Sequence, residues 1–429
     1  TTGTDFDSTS GSVTFAVGQK NASVTVKVNG DAAFETDETI KVTFSGSDLV
    51  ASVSATGTVT NDDSDPNTLA MAKTLTTGKN VFTTGSGADT FDATTAGSLD
   101  TIDVIDGGAG SDTLTVTSGG ESLRPTISNV ETISVTATAD TLTVDTRDIS
   151  GTTIWNNESS AGAVTLNNLS TVPAININSG TDDLTIDFTD AALAAASQTL
   201  SIGVNDYVQG AGESITITDA GGTTNKLEAI TINSASLAST ITALTTTGVG
   251  TTTLTVTGDA NLTITDAVAM TTVSAADFTG NLSVGGPAGA STYTGGSGND
   301  TLTTGAGNDT VTGGAGNDIL AAAAGTNTVT GGAGNDAITI TTGKDTVDAG
   351  AGNDSITQAD TSAITSADAL TGGDGTDTLI LSEANTAFNA KALADGILVG
   401  IEKIEVNGTG AITVDDANVT QAGGTLTLQ

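Results

Sequence analysis

The chain has 429 residues, with 54 Gly but only nine Phe, two Tyr and one Trp. Its core must therefore be thin and aliphatic, and its length suits about two to four domains. Fifty acidic against eleven basic residues leave a formal charge of −39, which excludes a nucleic-acid binder built on basic patches. His and Cys are both absent, which removes ligation of zinc or haem by those residues, disulfides, thiol catalysis and His-based triads. The donors left for a metal are oxygens, and carboxylate-rich oxygen donors favour calcium or magnesium. No apolar run approaches the ~18–20 residues of a transmembrane helix.

Residues 1–63 alternate apolar and polar side chains in SVTFAV, SVTVKV, TIKVTF and TGTVT, which predicts four strands. The order D-F…G-x-V-T-F…E-T-D-E-T…N-D-D resembles the Calx-β family, an immunoglobulin-like β-sandwich with calcium between loops at one end. That resemblance puts Asp5, Glu35, Glu38, Asp62 and Asp63 at the matching ligand positions. Acids converging at strand ends make chemical sense with a cation or open solvent between them, though many domains of this type are plain spacers. The match begins partway through the family pattern. The expectation is a fragment of a longer protein, or else a strand donated by another subunit. The Asp65–Pro66 linker closes the unit.

Residues 64–135 contain two isolated Gly-rich nonapeptides, TGSGADTFD around Asp89 and GGAGSDTLT around Asp112, the second followed by NVETISV. Across residues 136–285, a Thr-rich stretch, short aliphatic segments recur: TLTVD, AVTLN, AININ, LTIDF, TLSIG, SITIT, AITIN, TLTVT, NLTIT and NLSVG. Inward aliphatics separated by Thr, Ser and Asn predict strands of a long parallel β-solenoid beginning near Thr84. A separate β-sandwich is the alternative. DAALAAASQ (190–198) predicts a helical excursion.

Residues 286–357 hold the clearest signal. From Gly295 the chain reads GGSGNDTLT, TGAGNDTVT, GGAGNDILA, AAAGTNTVT, GGAGNDAIT, ITTGKDTVD and AGAGNDSIT, seven nonapeptides without insertion. The stretch resembles the RTX family, whose G-G-x-G-x-D-x-U-x repeats form calcium-binding parallel β-rolls. Glycines allow positive φ and expose backbone carbonyls, the Asp adds a carboxylate, and x-U-x is a strand with one inward aliphatic. So slender a coil needs calcium between its turns, each ion adding about 2.7 kcal/mol at a hundredfold excess over its dissociation constant. One coil takes two nonapeptides, so alternate copies share an edge. One edge stacks Asp300, Asp318, Asp336 and Asp354 behind Gly295, Gly313 and Gly331; the other stacks Asp309, Asn327 and Asp345, with Lys344 beside them. Calcium sites are expected between 300/318, 318/336 and 336/354, and weak or absent ones opposite. The bland reading is that these Asp only shape Asx turns.

Residues 358–429 repeat the earlier module. GGDGTDTLIL around Asp377 is followed by an insert and then GIEKIEV, as GGAGSDTLTV is followed by NVETISV. The second insert, SEANTAFNAKALADG, predicts a short helix. Glu131 and Glu402 are ligands or surface strand residues, and the surface reading is preferred.

The expected fold class is all-β, a partial Calx-β sandwich followed by a solenoid containing an RTX β-roll. Neither H-E-x-x-H nor G-x-S-x-G is present, and the acids sit in Gly turns rather than a cleft, so no enzyme is expected. RTX rungs, Calx-β and Thr-rich solenoids together resemble bacterial surface-layer and adhesin proteins exported by type I secretion. The resemblance implies several Ca2+ ions, an extracellular cell-surface location, and folding when external calcium neutralises the turns. It implies as partners the exporter, other copies of the chain and, in an adhesin, cell-surface glycans. Self-assembly is the first reading and adhesion the second. Ice binding is a distant third, resting on stacked Thr292, Thr310, Thr328 and Thr346 beside Thr294, Thr312, Thr330 and Asp348. Thr is also simply a good exposed strand former.

Overall fold

The computed structural model describes residues 11–28, 37–46, 51–59, 68–195, 198–219, 227–267, 269–359, 368–382, 398–407 and 427–428. From Ala72 onward these residues wind into one parallel β-solenoid. A 16-stranded sheet runs from Ala72–Thr74 to Leu398–Val399, and a 15-stranded sheet from Ser122–Leu123 to Thr427–Leu428. A four-stranded sheet (Val81–Thr83, Val104–Asp106, Thr126–Ser128, Ile149–Ser150) adds a third strand to the first coils. The coil begins at Ala72, earlier than the expected Thr84, because AKT and VFT are already paired with later rungs.

The alternation in each segment explains the packing. Leu114, Ile133, Trp155, Ile175, Ile202 and Ile232 stand in register on successive strands, and all are at most 2% exposed. Side chains between them face outward, as strand pleating requires. In the repeats the inward column narrows to Tyr293, Val311, Val329 and Val347. It faces Leu302, Leu320, Ile338 and Ile356 from the other sheet. The two sheets run through the middle of the chain without a break, so the solenoid and not a separate sandwich accounts for it.

Three expectations are corrected. The described part of 190–198 is turn rather than helix, with the next strand opening at Gln198. This Ala-rich segment crosses from one sheet to the other at a coil corner, and Ala192 and Leu193 are buried there. Of the four amino-terminal strands, two form, Glu38–Phe44 paired antiparallel with Val53–Val59. Residues 12–17 and 23–27 form no strand. IWNNE (Ile154–Glu158) and STITALTTT (Ser239–Thr247) are strands that the aliphatic pattern did not flag. The expected helix at 382–396 lies outside the described residues from 383 on.

Candidate metal centre

Each Gly-rich turn delivers an Asp to the corner where the next strand begins. Oδ1 of that Asp accepts the backbone N–H of the matching residue one coil earlier. The bonds run from Leu282 to Asp300 (2.7 Å), Asp300 to Asp318 (2.7 Å) and Asp318 to Asp336 (2.9 Å). They continue from Asp336 to Asp354 (2.7 Å) and Asp354 to Asp377 (2.8 Å). Steps inside the ladder are 18 residues, two nonapeptides per coil as the repeat phase requires. The column does not end with the ladder but runs on to Asp377.

The second carboxylate oxygen defines the chemistry. Asp318, Asp336, Asp354 and Asp377 are at most 2% exposed, and Oδ2 of each is buried without a hydrogen-bond partner. Asp300 differs, since its Oδ2 accepts the Gly296 N–H at 2.7 Å. The first glycine of each turn makes room for this oxygen. A Cβ on Gly313 would collide with Asp318 Oδ2 and the Gly331 carbonyl, and one on Gly331 with Asp336 Oδ2 and the Ala349 carbonyl. Gly295 stands in the same way against Asp300 and the Gly313 carbonyl. The turns at Gly313 and Gly331 thus bring a carboxylate oxygen without a donor against a carbonyl from the following coil. Such an arrangement is unfavourable unless a proton or cation sits there. Burial accordingly pushes the Asp318 carboxyl up to about 7 and that of Asp336 to about 6. It raises Asp300, Asp354 and Asp377 as well. Among the described residues no group of three or more acidic side chains converges. The donors would be single carboxylates joined by backbone carbonyls, hard oxygens suited to calcium.

The opposite edge has the same framework with less charge. Ser291 N–H bonds to Asp309, Asp309 to Asn327, Asn327 to Asp345 and Asp345 to Asp368, at 2.8, 3.1, 3.1 and 2.9 Å. Asp309 retains a buried Oδ2 without a partner. At Asn327 the amide Nδ2 donates to the Ala323 carbonyl at 2.8 Å, so a donor stands where the other edge presents an oxygen. The two edges therefore differ at Asn327.

A third column lies near the solenoid's start. Met71 N–H bonds to Asp89 (2.6 Å), Asp89 to Asp112 (2.7 Å) and Asp112 to Glu131 (2.7 Å). Asp89 and Asp112 are fully buried, each with an unpartnered Oδ2. Asp5, Glu35, Asp62 and Asp63 lie outside the described residues, as does the side chain of Glu38, which opens its strand.

Sequence reasoning missed a second ladder. Asn299, Asn317, Asn335 and Asn353 donate their N–H to Oδ1 of Asn281, Asn299, Asn317 and Asn335, at 2.6–2.8 Å. The invariant N of the G-N-D turns was its signal. It runs outside the Asp column and ties the exposed corners to one another. The Thr columns do stack as expected: Thr292, Thr310, Thr328 and Thr346 are in register, beside Thr294, Thr312, Thr330 and Asp348.

Residues 100–120, 294–329, 312–339, 322–356 and 365–385 match the family of the RTX calcium-binding nonapeptide repeat (4 copies). No curated protein and no solved structure matches the chain. Among the described residues no helix is long and apolar enough to cross a membrane. The chain is thus an all-β solenoid that carries RTX calcium-binding repeats.

Proposed function

We propose that this is a secreted structural protein of the bacterial cell surface, stapled by calcium after export and self-assembling into a layer or filament. The observation that carries the calcium reading is the column of buried Oδ2 atoms on Asp318, Asp336, Asp354 and Asp377, unpartnered and set against backbone carbonyls. Calcium there would be bound by those carboxylates and by the carbonyls of Gly331, Ala349 and Gly400, with Asp300 and Gly313 opening the column. It would neutralise charge that the fold otherwise buries at a cost. Asp89 and Asp112 would serve the same role at the other end, and Asp309 and Asp345 a weaker one.

Export and assembly follow from the same chemistry. A chain of charge −39 would stay unfolded where calcium is scarce, pass a type I exporter, and wind once external calcium reaches the turns. Proteins with these repeats are typically secreted, which supports the extracellular placement. A stiff solenoid of two long sheets is a suitable building block. The amino-terminal pair Glu38–Phe44 and Val53–Val59 fits a Calx-β-like sandwich, with Asp5, Glu35, Glu38, Asp62 and Asp63 as its ligands. Purified chain moved from chelator into millimolar calcium is expected to form sheets or filaments visible by electron microscopy. Monomers that instead bind cells or glycans would replace assembly with adhesion.

A further inference from the structure

Both modules that contain an isolated Gly-rich turn end in a way the nonapeptide does not explain. Asp112 and Asp377 are each fully buried and each keep an unpartnered Oδ2. Neither is followed one coil later by another Asp. In register stand Glu131 and Glu402, whose Oε2 atoms accept the N–H of Asp112 (2.7 Å) and Asp377 (2.8 Å). Two residues before each Glu the backbone is left-handed, with φ of 52° at Asn129 and 62° at Gly400. The carbonyl of each of these residues faces the Gly turn. A Cβ on Gly107 would collide with the Asn129 carbonyl and Asp112 Oδ2, and one on Gly372 with the Gly400 carbonyl and Asp377 Oδ2. These are the same two oxygens that meet in the regular rungs, now completed by N-V-E and G-I-E, sequences that lie outside every stretch matching the repeat family.

We infer that these are two closing cation sites, each built from a buried Asp (112 or 377), the carbonyl of a left-handed residue (129 or 400) and the carboxylate of Glu131 or Glu402. The longer Glu serves because N-V-E and G-I-E, which stand one coil later, lack the Gly turn that brings an Asp close. Its carboxylate holds the ladder's last N–H with one oxygen and supplies charge at the open end. Hard oxygen donors of this kind take calcium. The inference rests on the reading that the ladder itself takes up calcium, and it adds ligands that the repeat pattern does not contain.

The test is equilibrium dialysis of the full chain against calcium chloride, comparing wild type with Glu131→Gln, Glu402→Gln and the double variant. Gln keeps an oxygen for the Asp N–H, so the backbone contact survives while the charge is lost. Each single substitution is expected to remove one bound ion, or to weaken one at least ~10-fold (about 1.4 kcal/mol), and the double variant two. Unchanged ion number and affinity in all three variants would overturn the closing sites while leaving the ladder's calcium intact. A wild type that binds no calcium would overturn the ladder reading instead. Should the variants not fold, a high-resolution map of the calcium-loaded wild type decides. Density about 2.3–2.6 Å from Asp112 Oδ2 and the Asn129 carbonyl supports the site, and a cradle without density contradicts it.

Discussion

The coils between Ile154 and Val256 and those between Tyr293 and Leu379 share one pair of sheets but are held together differently. In the first set most strands bury two or three aliphatics, as Ile175 and Ile177 do, or Leu200, Ile202 and Val204. In the second set most strands bury a single aliphatic, Val311 on one and Leu302 on another. The middle coils therefore bury more apolar surface per strand, and with it more hydrophobic stabilisation. The repeats place buried Asp corners in their interior, and Oδ2 of Asp309, Asp318, Asp336, Asp354 and Asp377 has no donor, so on the calcium reading proposed above their winding depends on an ion there. The calcium reading therefore implies two sections held differently, the middle by aliphatic burial and the repeats by ions at their Asp corners.

The largest expected effect that separates the two is Ile202→Ala. This residue is fully buried between Ile175 and Ile232, and its truncation should cost about 2–5 kcal/mol. The loss should appear equally in chelator and in calcium when the middle section's denaturant unfolding is followed by Trp155 fluorescence. A loss seen only without calcium would break the division.

Next is the contrast between edges. Asp318→Ala removes a carboxylate from the open column and should lower stability in calcium by about 2.7 kcal/mol when calcium exceeds its dissociation constant a hundredfold. Asn327→Ala removes the acceptor of the Asp309 N–H and the donor to Ala323 and should cost about 1–3 kcal/mol, the same with and without calcium. Circular-dichroism titrations with calcium would compare them, and equal midpoints would show that the edges are equivalent.

The smallest effect is on pH. Asp318 and Asp336 are pushed up to about 7 and about 6, chiefly by burial. Groups raised in this way favour the calcium-free roll below their unfolded value, and that contribution is lost as pH rises through the folded values. Calcium competes with the same protons, so its affinity should rise between about pH 5 and about pH 8 with proton release. Calorimetry in two buffers of different ionisation enthalpy reads that release. A calcium affinity flat with pH would mean that these corners are not the binding groups.

Much of the architecture was legible because two nonapeptides make one coil. That phase alone stacks Thr292 on Thr310 and Asp318 on Asp336. The segments AININ, LTIDF and SITIT likewise announce inward aliphatics at alternate positions. What escaped notice depends on context rather than pattern. DAALAAASQ has helical composition, yet Ala192 and Leu193 are buried at a coil corner between two strands that fix its ends. Glu131 and Glu402 resemble surface strand residues until the register sets them one coil beyond Asp112 and Asp377. Trp155 and Asn157 hide the strand that carries them, because a buried Asn breaks the aliphatic alternation on which the reading relied.

Hydrogen exchange on the whole chain, in calcium and after exhaustive chelation, tests the central claim most directly. Chelation is expected to strip amide protection from residues 292–358, including the N–H groups of Asp300, Asp318 and Asp336 that bond to the next carboxylate. Protection across residues 154–258 should remain. Protection of both sections unchanged by chelation would contradict the account.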